Sequence, residues 1–269
     1  FTENTDDNGA GIYNDNSSPT FGNCTFNNNS AMTDGGGMCN STSNPILTGC
    51  IFSNNSAQSG GGMSNSTSSP VLRNCSFIGN QAKLINEQYN ALGGGIDNYM
   101  SDTVLLNCIL SDNSAQYGAG MFNSENSGPI LTNCNLVRNR ASGFAAGIYS
   151  AENCRTELTN CILWDNTGGH ISGDAGVYYS DVQDGWPGEG NNNIDEDPLF
   201  ADLDNGDYHL KSQAGRWGPV SQSWIVDNVT SPCIDSGDYG TAVGGKLEPN
   251  GGRINMGAYG GTEEASKSP

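Results

Sequence analysis

The sequence has few basic residues, almost no histidine and no long apolar run. Ten lysines and arginines stand against 29 acidic residues, which gives a formal net charge of −19, and there are two histidines. Nucleic-acid phosphates and anionic membrane surfaces repel so acidic a chain, so neither is an expected partner. No apolar segment approaches the roughly 20 residues of a membrane-spanning helix, and no signal peptide is visible. We therefore expect no membrane span.

Two further patterns are missing. The repetitive part of the chain has no 3.6-residue apolar periodicity, which argues against amphipathic helices there. There is no CxxC pair and the two histidines stand apart, so the spacing typical of a zinc site is absent. Nine cysteines remain to be explained. Six of them recur at one repeat position, where we expect buried free thiols: Cys24, Cys50, Cys75, Cys108, Cys134 and Cys161. For Cys39, Cys154 and Cys233 the sequence leaves disulfide formation open.

The chain is built from copies of one unit, of which Gly60–Ala82 is the clearest. Its glycine-rich start, GGGMSN, recurs in related form at steps of 25 to 33 residues. Self-similarity at such a period indicates a solenoid. The copies begin at Gly9, Gly35, Gly60, Gly93 and Gly118, with a decayed copy at Ala145.

Each unit contains three short apolar pieces separated by glycine-rich or asparagine-rich corners. Pieces of three or four residues are too short for helices and suit strands. We therefore predict an all-β fold, a right-handed parallel β-helix with three short strands per coil and about 25–27 residues per coil. Coils are predicted over 1–183, with an insertion loop at 83–90. Residues 184–269 are predicted to form an irregular C-terminal region that caps the solenoid.

Two rows of asparagine support this prediction. Asparagine tolerates left-handed backbone at a corner and can pair its amide with the same amide one coil away. The first row is Asn29, Asn55, Asn80, Asn113, Asn139 and Asn166, and the second is Asn14, Asn40, Asn65, Asn98 and Asn123.

The GGG[MI]xN…NCxFxxN coils resemble the right-handed parallel β-helix repeat proteins that bacteria secrete, within the broad pectate-lyase-like superfamily. The segments Asp197–Ser212, Ser231–Asp235 and Arg253–Gly261 resemble the C-terminal region of many such proteins. The resemblance implies a secreted or cell-surface location in bacteria. It implies no single activity, because the members include lyases, hydrolases and adhesins. No segment matches the acidic cluster and Arg/Lys pattern of the lyases, so no catalytic residue is carried over.

Charged residues on three successive coils form the main candidate site. Asp112, Arg138 and Asp165 should stack about 4.8 Å apart per coil, with the two carboxylates roughly 9–10 Å apart. With Arg140 and Trp164 nearby, one interpretation is a ligand-binding surface for saccharide. The other is a solvated charge ladder of alternating sign. Asp112 and Asp165 are the candidate catalytic carboxylates, but Arg138 between them should favour their ionised forms, which argues against a general acid.

A second acidic segment contains Asp202, Asp204 and Asp207 around a glycine turn. It partly resembles a calcium loop but lacks the full twelve-residue pattern and its terminal Glu. Acidic turn chemistry is the favoured interpretation and calcium binding the weaker one. No other cofactor is expected.

An outward row that includes Tyr13, Cys39, Phe122 and Tyr149 carries clustered aromatic side chains. We expect these rings to pack under the C-terminal region, with glycan binding as the alternative.

Because charges interrupt the repeat only slightly, a non-catalytic role is favoured. We expect an exported module that binds polysaccharide or assembles with copies of itself. The alternative is a polysaccharide lyase or glycoside hydrolase that acts in a groove along the helix. The chain starts within a repeat unit, so upstream and downstream segments of a longer chain are also expected.

Overall fold

The computed structural model describes residues 1–84 and 90–269, and this part forms a parallel β-solenoid, as predicted. Its only helix within those ranges is the short 3₁₀ turn Leu203–Asn205. Each coil contributes to four sheets, however, and the prediction of three strands per coil is wrong. The additional strand follows the first asparagine row, as in Ser30–Asp34. Its small and polar residues give no apolar signal, and parallel backbone pairing with the neighbouring coils forms it.

We number the sheets in the order in which the chain first enters them. Sheet I contains Thr5–Asn8, Ser30–Asp34, Ser56–Ala57, Gln81–Ala82, Ser114–Tyr117 and Arg140–Phe144. Sheet II contains Ile12–Asp15, Met38–Ser41, Met63–Ser66, Ile96–Tyr99, Met121–Ser124, Ile148–Ser150 and Ile171–Ser172. Sheet III contains Thr20–Gly22, Ile46–Thr48, Val71–Arg73, Val104–Leu106, Ile130–Thr132, Arg155–Thr159, Asp174–Tyr178 and Glu189–Asn191. Sheet IV contains Thr25–Asn27, Ile51–Ser53, Ser76–Ile78, Ile109–Ser111, Asn135–Val137, Ile162–Trp164 and Asp181–Val182.

Identical inward positions of successive coils stack on one another in the core. The rings of Phe26, Phe52 and Phe77 lie nearly parallel, with centroids 4.5 and 4.6 Å apart. Alternation along each short strand turns one residue inward and its neighbours outward. The core therefore forms one continuous column along the solenoid.

Both asparagine rows form side-chain ladders, which confirms that part of the sequence prediction. In the first row, from Asn29 to Asn166, each Nδ2 donates to the Oδ1 of the next asparagine at 2.9–3.1 Å. In the second, from Asn14 to Asn123, the same bond measures 2.8–3.0 Å. These buried amides satisfy one another, so the corners carry polar groups without an energetic penalty.

Close approach between coils requires glycine at the corner between sheets I and II. A Cβ atom on Gly62 would lie 2.6 Å from the carbonyl oxygen of Gly95 on the next coil and 2.8 Å from Cδ1 of Phe77. Any larger residue would push the two coils apart. This contact explains the recurring GGG sequence.

All nine cysteines are free thiols. Five of the six at the repeat position are buried, and they donate to backbone carbonyls, as Cys108 Sγ does to Leu106 O at 3.3 Å. Cys39 lies on the outer side of sheet II, where the sequence placed it, but only 7% of its surface is exposed.

Much of the C-terminal region lies along the side of the solenoid, and part of it lies at the end, where the sequence analysis placed a cap. Apolar residues of this region pack on Ile109, Val137 and Ile162, which point outward from sheet IV. The packing residues are Phe200, Tyr208, Leu210, Cys233, Ile234, Met256 and Ala258. At the end of the solenoid, Trp186 packs against the inner core. The apolar outward residues of sheet IV explain why this face is covered.

Two antiparallel hairpins organise the C-terminal region. One pairs Phe200–Asp202 with Asp207–Leu210, and the other pairs Arg216–Gly218 with Ser223–Ile225. Sheet III gains the strand Glu189–Asn191, so the parallel pairing continues past residue 183. Within the described residues, no helix has the length and apolar character needed to cross a membrane.

Candidate functional site

A groove crosses the outer face of sheet I, and we call it the sheet I groove. It encloses about 630 Å³ and draws its walls from three successive coils. The strands in register there begin at Gln81, Ser114 and Arg140. The lining residues are Gln81, Ala82, Lys83, Leu84, Ala91, Ser114, Ala115, Gln116, Arg140, Ala141 and Ser142.

Small side chains keep the floor of the sheet I groove low. Ala82, Ala91 and Ala115 are buried and pack together, with Ala141 against them. Longer residues stand at the sides, because the chain leaves the coil here for the insertion predicted at 83–90. Residues 83 and 84 of that insertion are exposed and line the groove, while 85–89 lie outside the described residues.

Two basic side chains line this groove. Lys83 and Arg140 are both exposed, and they are two of only ten basic residues in a chain of net charge −19. Gln81 and Gln116 add amide groups, and Ser114 and Ser142 add hydroxyls. The groove therefore offers hydrogen-bond donors and positive charge, unlike most of this acidic surface.

Aromatic rings lie at the sheet II end of sheet I. Tyr117 and Phe144 are in register on neighbouring coils, with ring centroids 6.2 Å apart. Tyr149 lies 5.9 Å from Tyr117 and stacks on Phe122 at 5.3 Å. We call these four residues the aromatic cluster. Phe144 is 64% exposed and provides an open face for a ligand.

Among the described residues, no ring contact joins Phe122 or Tyr149 to the C-terminal region, where packing was expected. Their rings contact each other and sheet I, whereas the C-terminal region covers sheet IV. Sequence reasoning missed Phe144 as a member of this group. A signal was available, because Tyr117 and Phe144 each immediately precede the glycine-rich corner of consecutive repeats.

The predicted charged ladder exists at the corner between sheets IV and I. Asp112, Arg138 and Asp165 all adopt left-handed backbone, with φ of 54°, 57° and 54°. Nε of Arg138 lies 3.7 Å from Oδ1 of Asp112 and 3.9 Å from Oδ2 of Asp165. The carboxylate oxygens of Asp112 and Asp165 are therefore closer to each other than the 9–10 Å expected from coil spacing alone. Both side chains bend towards the guanidinium of Arg138.

The C-terminal region covers part of this corner. Arg138 donates from Nη1 to the carbonyl oxygen of Leu203 at 3.2 Å and to Oδ1 of Asp204 at 3.1 Å. Asp112 and Asp165 remain exposed to solvent. Arg138 thus joins the solenoid to the C-terminal region, while the two carboxylates stay accessible.

The pKa of Asp112 is raised above its ordinary value, which corrects the expectation that the arginine would lower it. Partial burial is the largest cause, Arg138 and Arg140 oppose it, and Asp165 adds to it. Loss of solvation therefore outweighs the attraction of the guanidinium groups at this position.

Trp164 does not stand on an open surface. It is half-buried and packs against the apolar cluster between sheet IV and the C-terminal region, and its neighbour Val137 is fully buried there. Among the described residues, Phe144 is an exposed aromatic side chain on the same sheet I strand as Arg140. The structure therefore brings Asp112, Arg138 and Asp165 together, and it places Trp164 within the covered interface.

The three carboxylates of the calcium candidate point to different partners. Asp202 accepts from the backbone N and the Nδ2 of Asn205, at 3.3 and 2.7 Å. Asp204 pairs with Arg138, and Asp207 pairs with His209 and Arg216. Across the described ranges, no group of three or more His, Cys, Asp and Glu side chains is arranged to hold a metal ion. Asp202 thus bonds within the turn, whereas Asp204 and Asp207 form ion pairs with Arg138 and Arg216.

A family model described as "disaggregatase related" fits residues 83–237, which is more than half of the chain. No curated protein matches the chain, and no solved structure matches it either. The narrower placement among pectate-lyase-like proteins and the resemblance of the tail stay predictions. With its parallel β-helix fold, this chain belongs to the disaggregatase-related family.

Proposed function

We propose that this chain is an exported, non-catalytic module that binds polysaccharide in the sheet I groove. The observation that carries the proposal is the combination of a low alanine floor, two basic side chains and an exposed aromatic ring on one face. The volume of about 630 Å³ falls within the range typical of ligand sites.

The polar groups of the groove suit a sugar chain. Saccharide hydroxyls both donate and accept hydrogen bonds, and the amides of Gln81 and Gln116 can do the same. Lys83 and Arg140 add donors that also attract acidic substituents. The ring of Phe144 offers an apolar face to the C–H groups of a pyranose.

The remaining surface makes this location distinctive. With 29 acidic residues, most of the chain repels an acidic polysaccharide. The exposed side chains of Lys83 and Arg140 in the groove differ from that surface in carrying positive charge. Arg138 at the corner is paired with Asp112, Asp165 and Asp204. A polysaccharide is therefore directed to this face.

Calorimetric titration with acidic and neutral polysaccharides tests the proposal. We expect Arg140→Ala and Lys83→Ala each to weaken binding about tenfold, the equivalent of about 1.4 kcal/mol. Arg73→Ala is the matched control, because Arg73 is exposed on sheet III, another face of the same coils. We expect it to change affinity less than twofold. Equal losses in the control and the groove variants would reject the groove as the site.

The same samples are assayed for new reducing ends and for the absorbance of unsaturated products, with and without Ca²⁺. Binding without either product supports a non-catalytic module. Absence of binding, together with concentration-dependent sedimentation, would instead support self-assembly as the role.

Hydrolysis is the second candidate function, and one observation favours it. The raised pKa of Asp112, with Asp165 on the same guanidinium, resembles the carboxylate pairs of glycosidases. The ion pairs of Arg138 oppose it, because a nearby cation favours ionised carboxylates. Cleavage that disappears in both Asp112→Asn and Asp165→Asn would establish this alternative.

A further inference from the structure

A second cleft lies where the C-terminal region meets the outer face of sheet IV, and we call it the seam cleft. It encloses about 440 Å³, within the range of ligand sites. The solenoid contributes one wall, and the chain near the C-terminal end contributes the other. The lining residues are Asn74, Ser76, Asn107, Ile109, Ala258, Tyr259, Thr262, Glu263 and Glu264.

A buried histidine stands behind the seam cleft. His209 is only 2% exposed, and its ring stacks on Tyr259 with centroids 3.8 Å apart. Its Nδ1 lies 2.6 Å from Oδ1 of Asp207. Its Nε2 faces Oε2 of Glu264 at 3.4 Å and has no hydrogen-bond partner among the described residues. A buried nitrogen that lacks a partner carries a desolvation cost, so it needs a functional explanation.

The position of His209 orients Glu264. Nδ1 is fixed by Asp207, whose carboxylate also lies 3.5 Å from Nη1 of Arg216. The opposite nitrogen is therefore directed to the cleft wall that carries Glu264. Oε2 of Glu264 faces the imidazole, and the Glu264 side chain is exposed at the cleft.

The chemistry of the walls selects the kind of ligand. None of the described residues that line this cleft is basic, whereas Glu263 and Glu264 are both exposed there. An anionic ligand is therefore disfavoured. The hydroxyls of Ser76 and Thr262 and the amides of Asn74 and Asn107 can exchange hydrogen bonds with hydroxyl groups. The ring of Tyr259 adds an apolar surface.

We infer that the seam cleft is a second saccharide-binding site, for neutral sugar units, in which Glu264 accepts hydrogen bonds from ligand hydroxyls. His209 is a positioning residue that holds Glu264 at the wall. The seam cleft lies on sheet IV and the groove on sheet I, and they differ in the sign of their charged residues. One chain can therefore hold two glycan segments of different chemistry. This bridging role rests on the proposed function, whereas the second site does not.

Nuclear magnetic resonance of the two histidines tests the inference directly. The chain contains only His170 and His209, so each Cε1–H signal is readily assigned by substitution. His170 lies near Asn166 on the solenoid and serves as the internal reference. The probes are hexamers of β-1,4-linked glucose, mannose and N-acetylglucosamine, with a galacturonic acid hexamer as the acidic comparison.

We expect a neutral hexamer to shift the His209 signal and leave the His170 signal in place. Glu264→Gln should weaken this binding at least fivefold, because a neutral amide is a poorer acceptor than a carboxylate. Glu125→Gln is the matched control, since Glu125 is an exposed carboxylate outside the cleft. It should leave affinity within twofold.

Absence of any His209 shift with all neutral hexamers would overturn the inference. So would a shift that persists with unchanged affinity in Glu264→Gln. Arg140→Ala separates this inference from the proposed function, because it removes a basic group of the sheet I groove and should leave the His209 response unchanged. A loss of that response in Arg140→Ala would also count against a separate site.

Discussion

Sheets I and IV belong to the same coils and meet at the same corner, but one is open and the other is covered. On sheet IV the outward side chains Ile109, Val137 and Ile162 are apolar, and the C-terminal region buries them. On sheet I most of the side chains that line the groove are short or polar, and the groove stays open. The inward residues of sheet IV belong to the continuous core column, whereas the buried alanines of sheet I form a small cluster of their own. The difference shows that the outward residues of each coil determine whether a face of the solenoid is covered or open.

The boundary of the cover along sheet IV supports this view. Ile51 and Ile162 occupy the same strand position on different coils. Ile162 is fully buried under the C-terminal region, whereas Ile51 is 42% exposed. Comparing Ile51 with Ile162 therefore separates the effect of burial by the C-terminal region from the effect of the strand position itself.

The largest expected effect comes from this pair. Ile162→Asp should lower the free energy of unfolding by more than about 4 kcal/mol, because it buries a charge without a partner. Ile51→Asp should cost less than about 1 kcal/mol, because its side chain can reach solvent. Urea denaturation followed by circular dichroism measures both. Equal losses would mean that the cover adds no burial on sheet IV.

The next effect concerns the contact between the last sheet IV strand and the C-terminal region. Asp181 is buried and accepts a hydrogen bond from the thiol of Cys233 at 3.1 Å. Burial is the main cause that raises its pKa from the ordinary 3.8 to about 7, and Asp195 and Glu196 add to the rise. The folded state thus binds a proton that the unfolded state releases between these values. Stability should therefore fall as pH rises from about 4 to about 7.

The control for this prediction is Asp181→Asn, which cannot ionise. The difference in unfolding free energy between the wild-type protein and this variant should change by about 1.4 kcal/mol per pH unit at most. Above pH 7 it should level off. A difference that stays constant from pH 4 to 7 would show that Asp181 does not titrate in this interval.

The two aromatic positions should respond in opposite ways. Phe144→Ala on the open face should weaken polysaccharide binding roughly tenfold, or about 1.4 kcal/mol, with little loss of stability. Trp164→Ala in the covered interface should lower the unfolding free energy by about 2 kcal/mol and leave binding nearly unchanged. Calorimetric titration and urea denaturation on both variants give the comparison. If Trp164→Ala lost binding and Phe144→Ala did not, the ligand site would lie at the corner of sheet IV and not on sheet I.

The smallest effect is expected at the exposed end of the Arg138 contact. Asp204 is 89% exposed, so its ion pair with Arg138 is solvated. Asp204→Ala should change the unfolding free energy by less than about 0.5 kcal/mol. Leu203→Ala provides the comparison, because Leu203 packs against the apolar interface and its loss should cost more. If Asp204→Ala lowered the stability in thermal denaturation more than Leu203→Ala did, the ion pair would be what holds the C-terminal region in place.

Much of the coil was predictable because the repeat aligns residues that touch. Asn113 and Asn139 occupy the same repeat position, so their pairing follows from the sequence. The stack of Phe52 on Phe77 follows for the same reason. The additional strand at Ser30–Asp34 was not predictable, because backbone pairing forms it and its residues give no apolar pattern.

The candidate site was predictable only in part. The stacking of Asp112, Arg138 and Asp165 follows from the repeat, but the close approach of both carboxylates to the guanidinium does not. The contact of Arg138 with Asp204 does not, because Asp204 lies 66 positions further along the chain, outside the repeat units. Whether Trp164 faces a ligand or an interface depends on the same long-range packing.

The sequence by itself determined the solenoid, its asparagine ladders and its inward core, because each of these is a contact between equivalent positions of neighbouring repeats. Only the tertiary structure decided which face is covered and which is open. Asn133, for example, bonds the backbone of Asn255 and Gly257, which lie 122 and 124 residues further along the chain. No repeat relates these positions. The choice of face depends on how well the apolar residues of the C-terminal region fit those of sheet IV.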